Sequence, residues 1–434
     1  MSFADAEQYL DSLGVDAMKS LAPSMHRIEA ICAALDHPER QIPAVHITGT
    51  NGKTSTARMV TGLLNSAGLS VGTFTSPHLQ SVRERIALNG EPISEQHFGD
   101  ALDYLMPYVR AVEERLGEQL SYFELLVAMF FVWATEIPVD AVVAEVGLGG
   151  RWDATNVVPS SVAVVTAVDL DHTAMLGATK EEIAAEKAGI IKQGAEVVVG
   201  EDDPGLVEIF EGAAQSVGAT VSLEGRDFRL EENDLALGGR SIAVQVDGRI
   251  YDEIFVPLHG EHQGRNAALA IAAVTRFLPP GTLDTAVMRD GLAGCTVPGR
   301  MEALRPAGAS GPVILDVAHN PAGASALVAA LSETFAFENV TFVTGILGDK
   351  DHRGILDELA DVPARLIATQ ARATRSLPAD QLCKVADEVG IECESIPDVA
   401  EAVRHGMATT RAEDLLVVTG SHYVVGEARS HLLG

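Results

Sequence analysis

The stretch His46-Ile-Thr-Gly-Thr-Asn-Gly-Lys-Thr-Ser55 decides the fold class. Residues 44–48, which lead into it, form a short apolar run that predicts a buried strand. Residues 54–67, which follow, have the spacing of an amphipathic helix closed by Gly68 as a C-cap. Strand, glycine-rich turn and helix in immediate succession make a phosphate loop, in which backbone N–H groups and the positive end of the helix cradle phosphate oxygens. Gly49, Thr50, Asn51, Gly52, Lys53 and Thr54 are therefore candidate contacts to a nucleotide's phosphates, those of ATP under the resemblance given below. Lys53 would reach the β- and γ-phosphates, and the Thr54 hydroxyl would bind Mg2+. The general loop has a glycine five places before Gly52; Ile47 stands there, so this is a shortened form. A turn with a chance lysine is the alternative, and the strand–loop–helix context argues against it.

Outward from the loop, short apolar runs alternate with helical patterns, as in βα units around a parallel sheet. Candidate strands are 44–48, 70–75, 141–146, 162–168 and 196–199. Residues 226–256 carry turn signals between short alternating strands and predict an antiparallel hairpin patch appended to that sheet. An alanine-rich helix follows over 263–277. The pattern then restarts with candidate strands 312–317, 340–345, 364–369 and 414–419, enough for a second parallel sheet. Pro298 and Gly299 mark the joint. The expected domains are 1–297, carrying the glycine-rich loop, and 298–434, a smaller α/β unit.

Composition sets limits. The 434 residues suffice for two or three domains. Acids outnumber bases 61 to 31, a formal charge of −30, which repels nucleic-acid backbones and anionic lipid. Neither nucleic acid nor membrane is expected as a partner, and an anionic ligand must be held by local cations or metal. The N-terminus has no basic n-region or apolar h-region, and the apolar run 125–135 is too short for a bilayer, which needs about 20 residues. It reads as a buried helix. Cys32, Cys295, Cys383 and Cys393 form no Cys-x-x-Cys pair, so reduced, mostly buried thiols in a cytoplasmic protein are expected.

A second constellation lies at later strand ends. Glu145 sits near the carboxyl end of one strand and His172 in the equivalent place on the next, where open α/β sheets bind ligands. A carboxylate and an imidazole beside a phosphate loop suit a divalent cation. Alternatively, Glu145 pairs with Arg151 and His172 caps the following helix. On the expected helix 179–191, Lys187 shares a face with Ile183, Ile190 and Ile191. An inward lysine loses charge by desolvation, and a neutral amine can add CO2 to become a metal-binding carbamate. A surface lysine snorkelling near Glu186 is the other reading.

Taken together, Thr48–Thr54, Thr75-Ser-Pro-His-Leu79, Ser121-Tyr-Phe-Glu124, Glu145-Val-Gly-Leu-Gly-Gly-Arg-Trp-Asp-Ala-Thr-Asn156, Asp171-His172, Glu186-Lys-Ala-Gly-Ile190, Asp316-Val-Ala-His-Asn-Pro321 and Gly420-Ser-His-Tyr423 resemble folylpolyglutamate synthase. That family belongs to the Mur-ligase superfamily, and its bacterial members often double as dihydrofolate synthase. The resemblance implies a P-loop Mur-ligase-type ATPase domain followed by the smaller Rossmann-like domain. It implies folate biosynthesis and one-carbon metabolism, with ATP, L-glutamate and dihydropteroate or a reduced folate as substrates, in a monomer. Phosphorylation of the acceptor carboxylate makes an acyl phosphate, and the glutamate amino group displaces the phosphate. Cations must screen the anions brought together.

By the same resemblance, Thr54, Ser76 and Glu145 would hold one Mg2+, and His172 with carbamylated Lys187 a second. Lys53, His172 and Lys187 are the implied catalytic residues. Asn266 resembles the family's adenine contact, Arg300 and Asp316 its ATP contacts beside the joint, and His319 a histidine near the phosphates or ribose. The pterin side would use His26, Arg27 and Ile28, then Ser121, Tyr122, Phe123 and Glu124, and Trp152, Asp153 and Ala154. Tyr122 and Phe123 could instead be core aromatics, Asp316 and Asn320 caps of the helix after Pro321, and Arg300 a linker ion pair. His26 and Trp152 depart from the family pattern and bear on the exact pteridine. A peptidoglycan-precursor ligase is disfavoured, because only 48 residues precede Gly49. Another carboxylate substrate of a Mur-type ligase, or a non-catalytic ATP-binding regulator, remain the alternatives; the guanine motif of switch proteins, Asn-Lys-x-Asp, is absent from the sequence.

Overall fold

The computed structural model describes residues 1–14 and 24–434. Its first sheet is built from β1 (Ala44–Thr48), β2 (Val71–Phe74), β3 (Ile86–Leu88), β4 (Glu91–Pro92), β5 (Ala141–Glu145), β6 (Val162–Val165), β7 (Glu196–Val199) and β8 (Thr220–Leu223). The strand order is β4-β3-β2-β5-β1-β6-β7-β8, parallel from β2 to β8, with β3 and β4 antiparallel at one edge. Every residue of β1, β5 and β6 is buried, because helices cover both faces. On one face lie the helices Lys53–Ser66 and Glu261–Phe277; on the other lie Glu95–Leu116 and Tyr122–Glu136. The last of these contains the apolar run foreseen as a buried helix. Among the described residues, no helix is long and apolar enough to cross a membrane.

Residues 226–256 depart from expectation. β9 (Phe228–Ala236), β10 (Gly239–Val246) and β11 (Arg249–Val256) form a separate antiparallel sheet rather than extending the first one. Its inward side chains, among them Ile242, Val244, Ile254 and Val256, join the core of the helices Lys53–Ser66 and Glu261–Phe277. Pairing on the edge of β8 would have taken that apolar face off the helices.

The second series of strands closes as expected into its own sheet: β12 (Glu302–Leu304), β13 (Val313–Leu315), β14 (Val340–Thr344), β15 (Ala364–Ala368), β16 (Glu392–Ser395) and β17 (Leu415–Thr419). The order is β12-β13-β17-β14-β15-β16, parallel except for β12. Helices pack on both faces. The expectation of reduced thiols holds only for Cys32 and Cys295, which are free and buried. Cys383 and Cys393 are joined as a disulfide, with Cα atoms 5.4 Å apart. Helix Ala379–Glu388 turns back directly onto β16, so ten residues of separation become one contact, which spacing alone does not reveal.

Candidate active site

The site grows from the end of β1. Gly49 has φ +151°, and a Cβ there would stand 1.7 Å from Thr166 Oγ1, so no other residue fits. Gly52, with φ +86°, starts the helix Lys53–Ser66, and a Cβ on it would strike the Asn266 amide. Asn266 is thereby placed against the loop from the helix Glu261–Phe277. The Lys53 ammonium folds back and donates to Gly49 O at 2.9 Å and Thr50 O at 3.1 Å. Burial pushes its pKa down, against the pull of Glu145 and Asp171.

In register, Glu145 lies beside Ile47, one step before the loop. Its carboxylate is 1 % exposed and accepts from Thr54 Oγ1 at 2.8 Å and from the Ser76 N–H at 3.1 Å. Arg151 instead approaches Glu186, at 3.9 Å. Ser76 Oγ is buried and has no hydrogen-bond partner among the described residues. An enclosed carboxylate flanked by two hydroxyls, one of them orphaned, is a donor set suited to a hard divalent cation.

Lys187 ends the helix Lys180–Lys187, shorter than expected because residues 188–190 tighten into a 3-10 turn. Its side chain turns inward, is 3 % exposed, and donates to Gly49 O at 2.7 Å. Burial, reinforced by Lys53, holds its pKa well below the usual lysine value. His172 does stand at the N-cap of the next helix, but with φ +49° and no side-chain cap bond. Its Nε2 is 3.2 Å from Lys350 Nζ, and burial first, then Lys350, pushes its pKa down to about 4.

The carboxyl ends of the two sheets face each other across a cavity of about 280 Å3. The phosphate loop, Ser76, Glu145, His172 and Lys187 line one wall, and Arg300 and His319 the other. Asn51 and Asn320 exchange amide hydrogen bonds at 3.1 and 3.4 Å across the cleft. Tyr122, Phe123, Leu148 and Leu176 make one end apolar, with Asp153 beside them.

Other expected residues lie outside this wall. Asp316 is buried and accepts from the N–H groups of Met301 and Ala318, both at 2.9 Å, while Asn320 caps the helix Pro321–Thr334. Arg27 pairs with Glu124 at 3.1 Å and with Glu118 at 3.2 Å, Ser121 and Glu124 form a capping box, and His26 bonds Glu118. Ile28 and Ala154 are core residues, and Trp152 is about half exposed. Tyr122 and Phe123 are core aromatics and cavity walls at once.

Sequence reasoning gave no role to Arg85, Asp171, Lys350, His422 or Tyr423, all of which reach the cavity. Asp171 accepts from Lys350 and, at 3.2 Å, from Asn320. Burial raises the Asp171 pKa, but hydrogen bonding to His319 and the Lys350 charge outweigh it and hold the group well below the usual carboxylate range. The charged cluster Asp349-Lys350-Asp351 just after a strand was the available signal for Lys350.

Two facing α/β sheets with a phosphate loop between them define a Mur-type ligase. The family model described as the Mur ligase middle domain matches residues 124–274, and that of the glutamate ligase domain matches 299–422. A dihydrofolate synthase/folylpolyglutamate synthase of Mycobacterium tuberculosis is 38% identical over 94% of this chain and 90% of its own. A crystal structure of the M. tuberculosis folylpolyglutamate synthase with ADP and AMPPCP superposes with a TM-score of 0.91 at 38% identity, covering 99% of this chain and 97% of that one. A bifunctional folylpolyglutamate synthase/dihydrofolate synthase with Mn, AMPPNP and L-glutamate bound reaches 0.86 at 29% identity, covering 100% and 98%. The chain belongs to the dihydrofolate synthase/folylpolyglutamate synthase family.

Proposed function

We propose that this protein is an ATP-dependent ligase that adds L-glutamate to the carboxylate of dihydropteroate or a reduced folate through an acyl phosphate. One observation carries the reading: the phosphate loop, a buried carboxylate and an apolar aromatic pocket open into one cavity that the C-terminal sheet closes with Arg300, His319 and Lys350. Relatives with ADP, ATP analogues, Mn and L-glutamate support the same substrates.

In this reading the loop amides and Lys53 hold the ATP phosphates, with Asn266 on the base side and Arg300, Asp316 and His319 serving from the joint and the C-terminal half. Lys53 exchanges its two carbonyl partners for phosphate oxygens, an approach that its folded-back rest position makes short. Thr54, Ser76 and Glu145 would hold one Mg2+; His172 and a CO2-derived carbamate on the buried Lys187 amine would hold a second. These cations would supply charge neutralisation at the transferring phosphoryl group. Tyr122 and Phe123, which line the cavity, would offer flat faces to a pterin ring, and Asp153 beside them would accept its N–H groups. Residues 1–297 would thus supply the ATP and pteroate or folate sites and 298–434 the glutamate side, all within a single cytoplasmic chain.

The test is ADP release with dihydropteroate and tetrahydrofolate supplied separately. Release is expected only when acceptor and glutamate are both present, and labelled oxygen from the acceptor carboxylate is expected in the inorganic phosphate. ADP release without glutamate, or phosphate free of that label, would refute the mechanism.

A further inference from the structure

Three arginines are buried among the described residues: Arg27, Arg85 and Arg240. Arg27 is paired with Glu124 and Glu118, and Arg240 with Glu333 at 2.7 Å. Arg85 differs. It is 5 % exposed, yet among the described residues no carboxylate oxygen lies within 4.0 Å of its guanidinium. Its Nε donates to His78 Nδ1 at 2.9 Å, and its carbon centre lies 5.4 Å over the Tyr122 ring. The adjacent Glu84 is used elsewhere, accepting from the N–H groups of Leu79, Gln80 and Ser81.

The two terminal nitrogens of Arg85 have no hydrogen-bond partner among the described residues and are not sealed in the interior. The residue borders open space on two sides. Arg85 lines the main cavity and also a second one of about 200 Å3, which shares Tyr122, His422 and Tyr423 with it. A guanidinium withdrawn from water without a counter-anion is costly, and its planar fork matches a carboxylate in two parallel bonds. The compensating anion must then come from a ligand. Glu7 and Asp11 also line the second cavity, so a polyphosphate is repelled there, whereas a single carboxylate is tolerated.

We propose that Arg85 forms a carboxylate-binding subsite between the two cavities, taking the α-carboxylate of a glutamyl unit. This rests on the ligase reading above. The unit is supplied by the incoming L-glutamate or by the terminal residue of a folate acceptor, and dihydropteroate, which has no glutamyl unit, separates the two sources.

The experiment compares wild type with Arg85→Met and Arg85→Lys in ADP-release kinetics, using dihydropteroate or tetrahydrofolate with L-glutamate. Arg85→Met is expected to raise one KM at least about tenfold with the KM for ATP unchanged, and Arg85→Lys to recover part of the loss. A raised KM for glutamate with both acceptors assigns the subsite to the incoming amino acid. A raised KM for tetrahydrofolate, with dihydropteroate unaffected, assigns it to the acceptor. Unchanged KM values for glutamate and both acceptors, in a variant that melts like wild type, overturn the proposal. Should Arg85→Met fail to fold, the same criteria apply to Arg85→Lys, which keeps the charge and loses the fork. Failure of the ligase reading itself shows separately, as wild type that releases no ADP with either acceptor.

Discussion

Asp171 and Lys350 meet at 2.5 Å across the cleft, a buried ion pair joining the loop after β6 to the loop after β14. Both side chains are less than a tenth exposed, so solvent screens the pair little. Asn320 and His319 complete the surroundings of the carboxylate from the same side as Lys350.

Lys350→Met removes the only lysine or arginine paired with Asp171 among the described residues and leaves a desolvated carboxylate behind. Turnover is expected to fall by roughly a hundredfold or more, as for loss of a charge in a preorganised site. A double-mutant cycle with Asp171→Asn, read by thermal melting, should give a coupling between about 0.5 and 3 kcal/mol. Additive effects would show that the two residues act independently.

Asp153 is served by a directed relay. Thr155 Oγ1 bonds both Asp153 Oδ1, at 2.5 Å, and His46 Nε2, at 2.8 Å. The hydroxyl has one hydrogen, and a carboxylate can only accept, so His46 Nε2–H donates to Thr155 and Thr155 to Asp153. Thr155→Val should raise the KM for the pterin substrate about tenfold, the effect of roughly 1.4 kcal/mol from one buried charge-assisted bond. Thr155→Ser should restore it. The ratio of pterin KM to ATP KM is the measurement.

His46 also makes stability depend on pH. Burial pushes its pKa down to about 3, whereas in the unfolded chain it titrates near 6.5. Between these values the unfolded chain binds a proton that the folded one excludes. Stability therefore falls as pH drops through this window, by about 1.4 kcal/mol per pH unit from this group. In His46→Gln the decline in denaturant midpoint between pH 6 and pH 4 should be shallower than in wild type.

Lys187 has its amine buried beside the phosphate loop, and burial pushes its pKa well down. Lys187→Ala should lose at least about a hundredfold in turnover, with partial rescue by short carboxylic acids that stand in for a carbamate. Wild-type activity should also decline in CO2-free buffer. Turnover near wild type without added acid would take the carbamate out of the mechanism.

Much of this was readable along the chain. The phosphate loop, β1, β5, β6 and the parallel strands of the second sheet follow from apolar runs and glycines whose meaning is local. The position of Glu145 at a buried strand end was readable too, but only the structure decided between Arg151 and the phosphate loop as its neighbour. The separate sheet β9–β11 was misplaced, because hairpin signals specify pairing within the segment and not the surface it packs on. The Cys383–Cys393 bond escaped for a related reason: a helix–turn–strand return brings the two together, and neither residue type nor spacing announces it.

Sequence alone determined the phosphate loop and the two α/β halves, because each depends on neighbours within a few turns or one strand; that Lys187 points inward was settled by the tertiary structure. Tertiary structure decided the rest: that Lys350 answers Asp171 from 179 positions away, and that Arg85 stands between two cavities without a carboxylate among the described residues. Charge pairing in a desolvated cleft depends on distance in space, and that distance is set only when both sheets have closed on the same cavity.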